Sequence, residues 1–175
     1  MQLGGGAIRK RRTEQIWAIQ DEAGGARKEV IVGLFSFLRG KGKNLGAAQA
    51  SEAPPEKEAL EKELDDLGID RSDLELEVEP HNHRVRIKGH AKDAETREKA
   101  ILAVGNVAGI SEVEDDSGAP DPHFHTVEQG ESLWKIAEAT LGNGNRYTEI
   151  FEANKPMLTD PDKIYPGQVL RIPKA

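Results

Sequence analysis

The stretch from Leu74 to Lys88 constrains the fold more than any other part of this chain. Leu74, Leu76 and Val78 alternate with Glu75, Glu77 and Glu79. After Pro80-His81-Asn82-His83, Val85 and Ile87 alternate with Arg84, Arg86 and Lys88. A period of two sends successive side chains to opposite faces of a strand, so the two runs predict a hairpin with one apolar face and one charged face. A turn of even length sets each glutamate opposite a basic residue and each apolar side chain opposite another; an odd turn would need a bulge. The register stays open by two residues. Each cross-strand charge pair contributes only about 0.2–1 kcal/mol, so the charges select the register more than they hold the sheet. The row Glu75, Glu77 and Glu79 is therefore read as a wet face and not as an acid site.

Helices flank this hairpin. Leu60, Leu64 and Leu67 recur at helical spacing within Glu56–Leu67, and Gly68 supplies the stop. Asp93 caps a second helix from Ala94 to about Val104, whose stripe continues through Ile101, Val104 and Ala108. Gly105 and Gly109 break it, and Ile110–Glu114 is expected to form a third strand. Residues 55–116 thus read as an α+β sandwich in the order α-β-β-α-β, with helices over one face of a three-stranded sheet. Residues 117–122 read as a linker.

Residues 123–174 read as a second, β-α-α-β unit. Its strands are Phe124–Val127 and Gln168–Ile172, and its helices Ser132–Leu141 and Arg146–Asn154. Leu133, Ile136 and Ala137 are expected to face inward from the first helix, and Tyr147, Ile150 and Phe151 from the second. With 37% hydrophobic and 31% charged residues among 175, two small domains with thin cores fit better than one large core. Residues 1–31 are expected to be a disordered extension or a mis-assigned start, and residues 32–54 an N-terminal segment and connector. The alternative for residues 27–50 is a signal peptide, which would place the protein in the periplasm or cell envelope.

Composition narrows function. A net charge of −7 disfavours nucleic acid as the main partner and strong binding to anionic membranes. The absence of cysteine excludes disulfides, thiolate catalysis and Cys-ligated zinc, and leans towards the cytoplasm. No apolar run is long enough to span a membrane. The His81/His83 and His123/His125 pairs read as solvated surface residues. No nucleophile–base or phosphate-cradling constellation is evident, so an enzyme and an organic cofactor are not expected.

The segments His125-Thr126-Val127, Gly130-Glu131-Ser132-Leu133-Trp134, Phe151-Glu152-Ala153-Asn154 and Ile164-Tyr165-Pro166-Gly167-Gln168-Val169-Leu170 closely resemble the LysM family. Residues 55–116 resemble BON domains in element order. Together, residues 33–173 resemble the bacterial BON–LysM potassium-binding family, with departures at residues 1–31 and around Pro80–His83. The resemblance implies a cytoplasmic, monomeric, non-enzymatic protein that binds K+ and changes conformation on doing so. A selective K+ site is commonly a ring of main-chain carbonyls replacing the hydration shell, which leaves no side-chain motif. The candidate carbonyls are those of Leu38, Lys41, Gly105, Val107 and Ile110. Gly105 and Gly109 allow left-handed backbone there, and the preceding helix end adds unpaired carbonyls and a negative dipole. The plainer alternative is that the two glycines only end a helix and start a strand. The second functional reading is binding of peptidoglycan or another N-acetylglucosamine-containing glycan. Its candidate residues are Gly130, Glu131, Ser132, Leu133, Ile164, Tyr165 and Pro166, among which Leu133 also reads as core.

Overall fold

The hairpin forms with the expected charge pairing. Strands β2 (Leu74–Glu79) and β3 (Arg84–Gly89) are antiparallel, setting Glu75 opposite Lys88, Glu77 opposite Arg86 and Glu79 opposite Arg84. The core face pairs Leu76 with Ile87 and Val78 with Val85. Four residues make the turn, a 3-10 turn over Pro80–Asn82 followed by His83 in left-handed backbone. Hydrogen bonding to Lys88, together with its charge, holds the Glu77 carboxyl below the ordinary range, as a solvated ion ladder should.

This computed structural model describes residues 33–37, 42–43 and 55–174. The expectations for residues 1–31, and for Leu38 and Lys41, lie outside the described residues. Helix α1 (Lys57–Asp66) and helix α2 (Ala94–Gly105) carry the remaining wall of the first unit. The Asp93 carboxylate accepts from Thr96 N at 2.7 Å, the cap that starts α2. Strand β4 (Glu112–Asp115) returns parallel to β3, as a helical crossover requires. It begins two residues later than expected, because Ile110 N donates to Val107 O in a turn instead of joining the ladder.

Among the described residues the sheet has four strands, not three. Strand β1 (Gly33–Ser36) pairs antiparallel with β4 and gives the order β1-β4-β3-β2. Its pattern is a true alternation: Phe37 is buried and Phe35 packs on the core, while Leu34 is half exposed on the wet face. An apolar residue on the wrong face hid the strand from a period-2 reading.

The second unit follows the expected order. Strand β5 (Phe124–Thr126) pairs antiparallel with β6 (Val169–Arg171), and between them lie α3 (Leu133–Leu141), a 3-10 turn (Gly144–Arg146) and α4 (Tyr147–Ala153). Its core gathers Val127, Leu133, Ile136, Ala137, Ile150, Leu158, Leu170 and Ile172. Tyr147 departs from expectation: it is exposed at the start of α4 and does not face this core.

The two units dock through β6. Val169 belongs to the first unit's apolar cluster. The Asn106 side chain pairs with its backbone as a strand would: Val169 N donates to Asn106 Oδ1 and Asn106 Nδ2 donates to Val169 O, both at 2.9 Å. Arg171 forms an ion pair with Glu98, and Phe35 meets Phe124 edge to face at 5.4 Å. The linker is also tied down. Arg97 and Asp115 form a buried ion pair, Ser117 Oγ donates to Asp115 Oδ2 at 2.8 Å, and Arg97 Nη1 donates to Pro120 O at 3.0 Å.

Candidate functional site

The loop after α2 is where main chain, N-terminal segment and second unit meet. The N-terminal segment is fastened on both sides of it. Phe37 N donates to Ser111 O at 2.8 Å. Further along, Lys43 N donates to Asn106 O at 2.7 Å and Ala108 N donates to Lys43 O at 2.9 Å, forming a parallel bridge between Lys43 and Val107. Phe37 and Lys43 thus bracket residues 38–42 in the chain and are anchored to opposite ends of one loop.

Two glycines make these approaches feasible. A Cβ on Gly42 would overlap the Asn106 carbonyl, and a Cβ on Gly105 would overlap the tip of the Phe37 ring. The expected reason for Gly105 is therefore corrected. Only Gly109 of the loop pair adopts positive φ, at 96°, whereas Gly105 is the last residue of α2 and serves by leaving room for an aromatic ring.

The carbonyl inventory bears on cation binding. Asn106 O is taken by Lys43 N, and Gly109 O lies 3.1 Å from the His83 ring nitrogen Nδ1. Val107 O accepts from Ile110 N at 3.2 Å and retains a second lone pair. Among the described residues no hydrogen bond ends on the carbonyl oxygens of Gly105, Ala108 or Ile110. Val107 and Ile110 are buried, so oxygens here are shielded from bulk water. The end of α2 contributes the negative end of its dipole. Among the described residues no cluster of three or more His, Asp or Glu side chains could hold a metal ion. A cation at this loop would therefore be held by main-chain oxygens, a donor set suited to a large monovalent ion and not to zinc.

The candidate glycan surface is less open than expected. Leu133 is 2% exposed and packs in the second core, so it supplies no groove wall. Glu131 is engaged internally: its Oε2 accepts from Glu128 N at 2.7 Å and lies 2.8 Å from His125 Nε2. Burial by itself would raise the Glu131 carboxyl, but these two bonds together with nearby positive charge outweigh it and leave it below the ordinary range. Lys135 Nζ donates to Gly130 O at 2.9 Å, and Ser132 Oγ caps α3 by accepting from Lys135 N at 3.3 Å. Pro166 is exposed, and Ile164 is half-buried. Half-buried Tyr165, whose phenol is raised by burial, lines a cleft of about 560 Å³ between the units, with Lys43, Glu63, Asn106, Met157 and Gln168. The His83 and His125 rings are half-buried and hydrogen-bonded, not the solvated groups expected.

Sequence reasoning gave no part in the site to Asn106, Phe37 or Gly42, and read His83 as a solvated surface residue. Asn106 and Gly42 act through backbone approach, which leaves no periodic trace. The pointers to His83 were its place in a His-x-His pair and the turn at Pro80–His83, which was visible as a departure from the family.

Comparison with known proteins agrees with this organisation. The BON domain family matches residues 57–116, and the LysM domain family matches residues 125–173. The chain is 38% identical over 149 residues to the potassium binding protein Kbp of Escherichia coli O6:H1, covering 82% of this chain and 99% of that one. It is also 47% identical over 49 residues to an uncharacterized protein of Deinococcus radiodurans, covering 28% of this chain and 19% of the relative.

Proposed function

Because this chain belongs to the BON–LysM family of the potassium binding protein Kbp, we propose that it is a K+-binding protein whose ion sits at the loop after α2. The observation that carries the reading is the loop itself: buried, free of carboxylates that could chelate a divalent ion, and bracketed by two anchors of the N-terminal segment. The ligands in this account are the carbonyls of Gly105, Val107 and Ile110 from below, completed by Leu38 and Lys41. K+ has a loosely held hydration shell, and carbonyl dipoles can replace it without a full countercharge.

Binding couples to conformation through the same contacts. An ion bridging the N-terminal segment to the loop favours the docked form of that segment, and Asn106 extends the effect to β6 of the second unit. The LysM unit in this reading is a buttress for the loop. The action is placed in the cytoplasm, in keeping with a chain that lacks cysteine; recovery of the native protein in a periplasmic fraction would contradict that placement.

The test is thermal unfolding of the full chain in KCl against equal NaCl. A ligand that binds only the folded state stabilises by about 2.7 kcal/mol at a hundred times its Kd. A higher midpoint in KCl is expected, and identical midpoints would remove the proposal. The LysM match motivates a second reading, glycan binding through Gly130, Ser132, Ile164, Tyr165 and Pro166. Retention of the protein on purified sacculi, competed by N-acetylglucosamine oligomers, would support it.

A further inference from the structure

We infer that His83 is a positioning residue of the cation site, holding the Gly109–Ile110 peptide so that the loop's other carbonyls are free to face an ion. The inference rests on the K+ reading above and adds a residue to it. His83 is the one non-glycine residue with positive φ among the described residues, at 53°. That conformation is disfavoured for a side-chain-bearing residue and persists where the surroundings fix it. Here they do. The His83 carbonyl accepts from Ser111 N at 2.8 Å, Ser111 Oγ at 3.1 Å and Glu112 N at 3.3 Å. These bonds bring the ring against the loop, where Nδ1 lies 3.1 Å from Gly109 O.

A carbonyl oxygen can only accept, so Nδ1 carries the proton and donates. The carbonyl of Gly109 and the N–H of Ile110 belong to one planar trans peptide and point in opposite directions. Ile110 N donates to Val107 O at 3.2 Å. One peptide plane is therefore gripped at both ends, by the imidazole and by the Val107 carbonyl. Gly109 O is thereby directed to the imidazole and leaves the set of ion ligands. The orientation of Val107 O, a proposed ligand, is tied to the same plane. Without the imidazole only the Ile110 N–Val107 O bond holds that plane, and Gly109, already at positive φ, gains freedom to turn its carbonyl, so the loop's arrangement is less fixed.

The experiment is isothermal titration of the full chain with KCl, comparing wild type, His83→Gly and His83→Asn. Glycine accepts φ 53° and removes the donor. Asparagine tolerates left-handed backbone and offers a side-chain N–H. Loss of one such bond predicts K+ binding weakened roughly five- to tenfold in His83→Gly, with recovery to within about threefold in His83→Asn. Equal affinity in all three proteins would overturn the inference, and so would equal weakening in both variants. A nitrogen-detected imidazole spectrum of the wild-type protein gives an independent answer, whether or not a variant folds. A protonated Nδ1 on His83 is expected, and a bare Nδ1 would overturn it. Absence of K+ binding by wild type would remove the K+ reading, while the imidazole spectrum would still report on the bond to Gly109.

Discussion

Replacing Gly105 with alanine is expected to weaken K+ binding without unfolding the protein. The added methyl would overlap the tip of the Phe37 ring, and Phe37 cannot simply withdraw. Its ring is 8% exposed and its N–H is bonded to Ser111 O. Either the ring leaves the core or β1 lifts from β4. Removing a phenylalanine from a core costs about 1.5–3 kcal/mol. Alanine in place of glycine within a helix returns up to about 1 kcal/mol. The net, about 0.5–2 kcal/mol once the full helix gain of about 1 kcal/mol is taken off, falls on docking of the N-terminal segment and not on the rest of the sheet. If that segment completes the site, apparent affinity falls with the docked fraction, by up to about thirtyfold. Isothermal titration with KCl reads the affinity, and unfolding without K+ reads the fold. A Gly105→Ala protein that binds K+ as tightly as wild type would refute the link between Phe37 docking and the ion.

Other perturbations address the remaining contacts. Asn106→Ala removes two hydrogen bonds to Val169 and should destabilise the full chain by about 1–3 kcal/mol in urea unfolding; an unchanged midpoint would deny Asn106 its role between the units. Asp115→Asn leaves Arg97 buried at 5% exposure without its countercharge. A loss of about 3–5 kcal/mol is expected in the same assay, and a loss under 1 kcal/mol would contradict that origin. The Glu131 carboxyl is held below its ordinary range, so its contribution to stability is complete above that range and is lost as pH falls through the lowered value. Glu131→Gln should therefore flatten the acid side of the stability profile, and an unchanged acid limb would show that this carboxyl is not linked to folding.

Much of the architecture is legible in the sequence because its signals are strong and local. Alternation with opposite charges on adjacent strands fixed the hairpin pairing, and the four-residue turn resolved the register that charge alone left open. Asp93 and Ser132 marked helix starts by a mechanism that needs only near neighbours. What escaped depends on distant partners. Strand β1 shows its alternation only once β4 fixes which face is inward, with Leu34 outside and Phe37 inside. Gly105 reads as a conformational glycine, and its actual constraint is a ring sixty-eight residues earlier in the chain. Tyr147 occupies an inward position of an ideal helix, but a 3-10 turn precedes α4 and rotates its first residue to solvent. Main-chain oxygens carry no residue identity. The candidate loop was therefore found from its glycines and the helix end, while the groups that orient it, His83 and Asn106, became visible only in three dimensions.

The central claim is that main-chain oxygens at the loop after α2 hold a large monovalent cation. Its most direct test is a crystal of the full chain grown with thallous or rubidium ions in place of K+, with anomalous scattering locating the ion. The account predicts a single strong peak within coordinating distance of the carbonyls of Gly105, Val107 and Ile110, removed by excess KCl and not by NaCl. No peak at the loop in a crystal that diffracts well, or a peak held by side-chain carboxylates elsewhere, would contradict it.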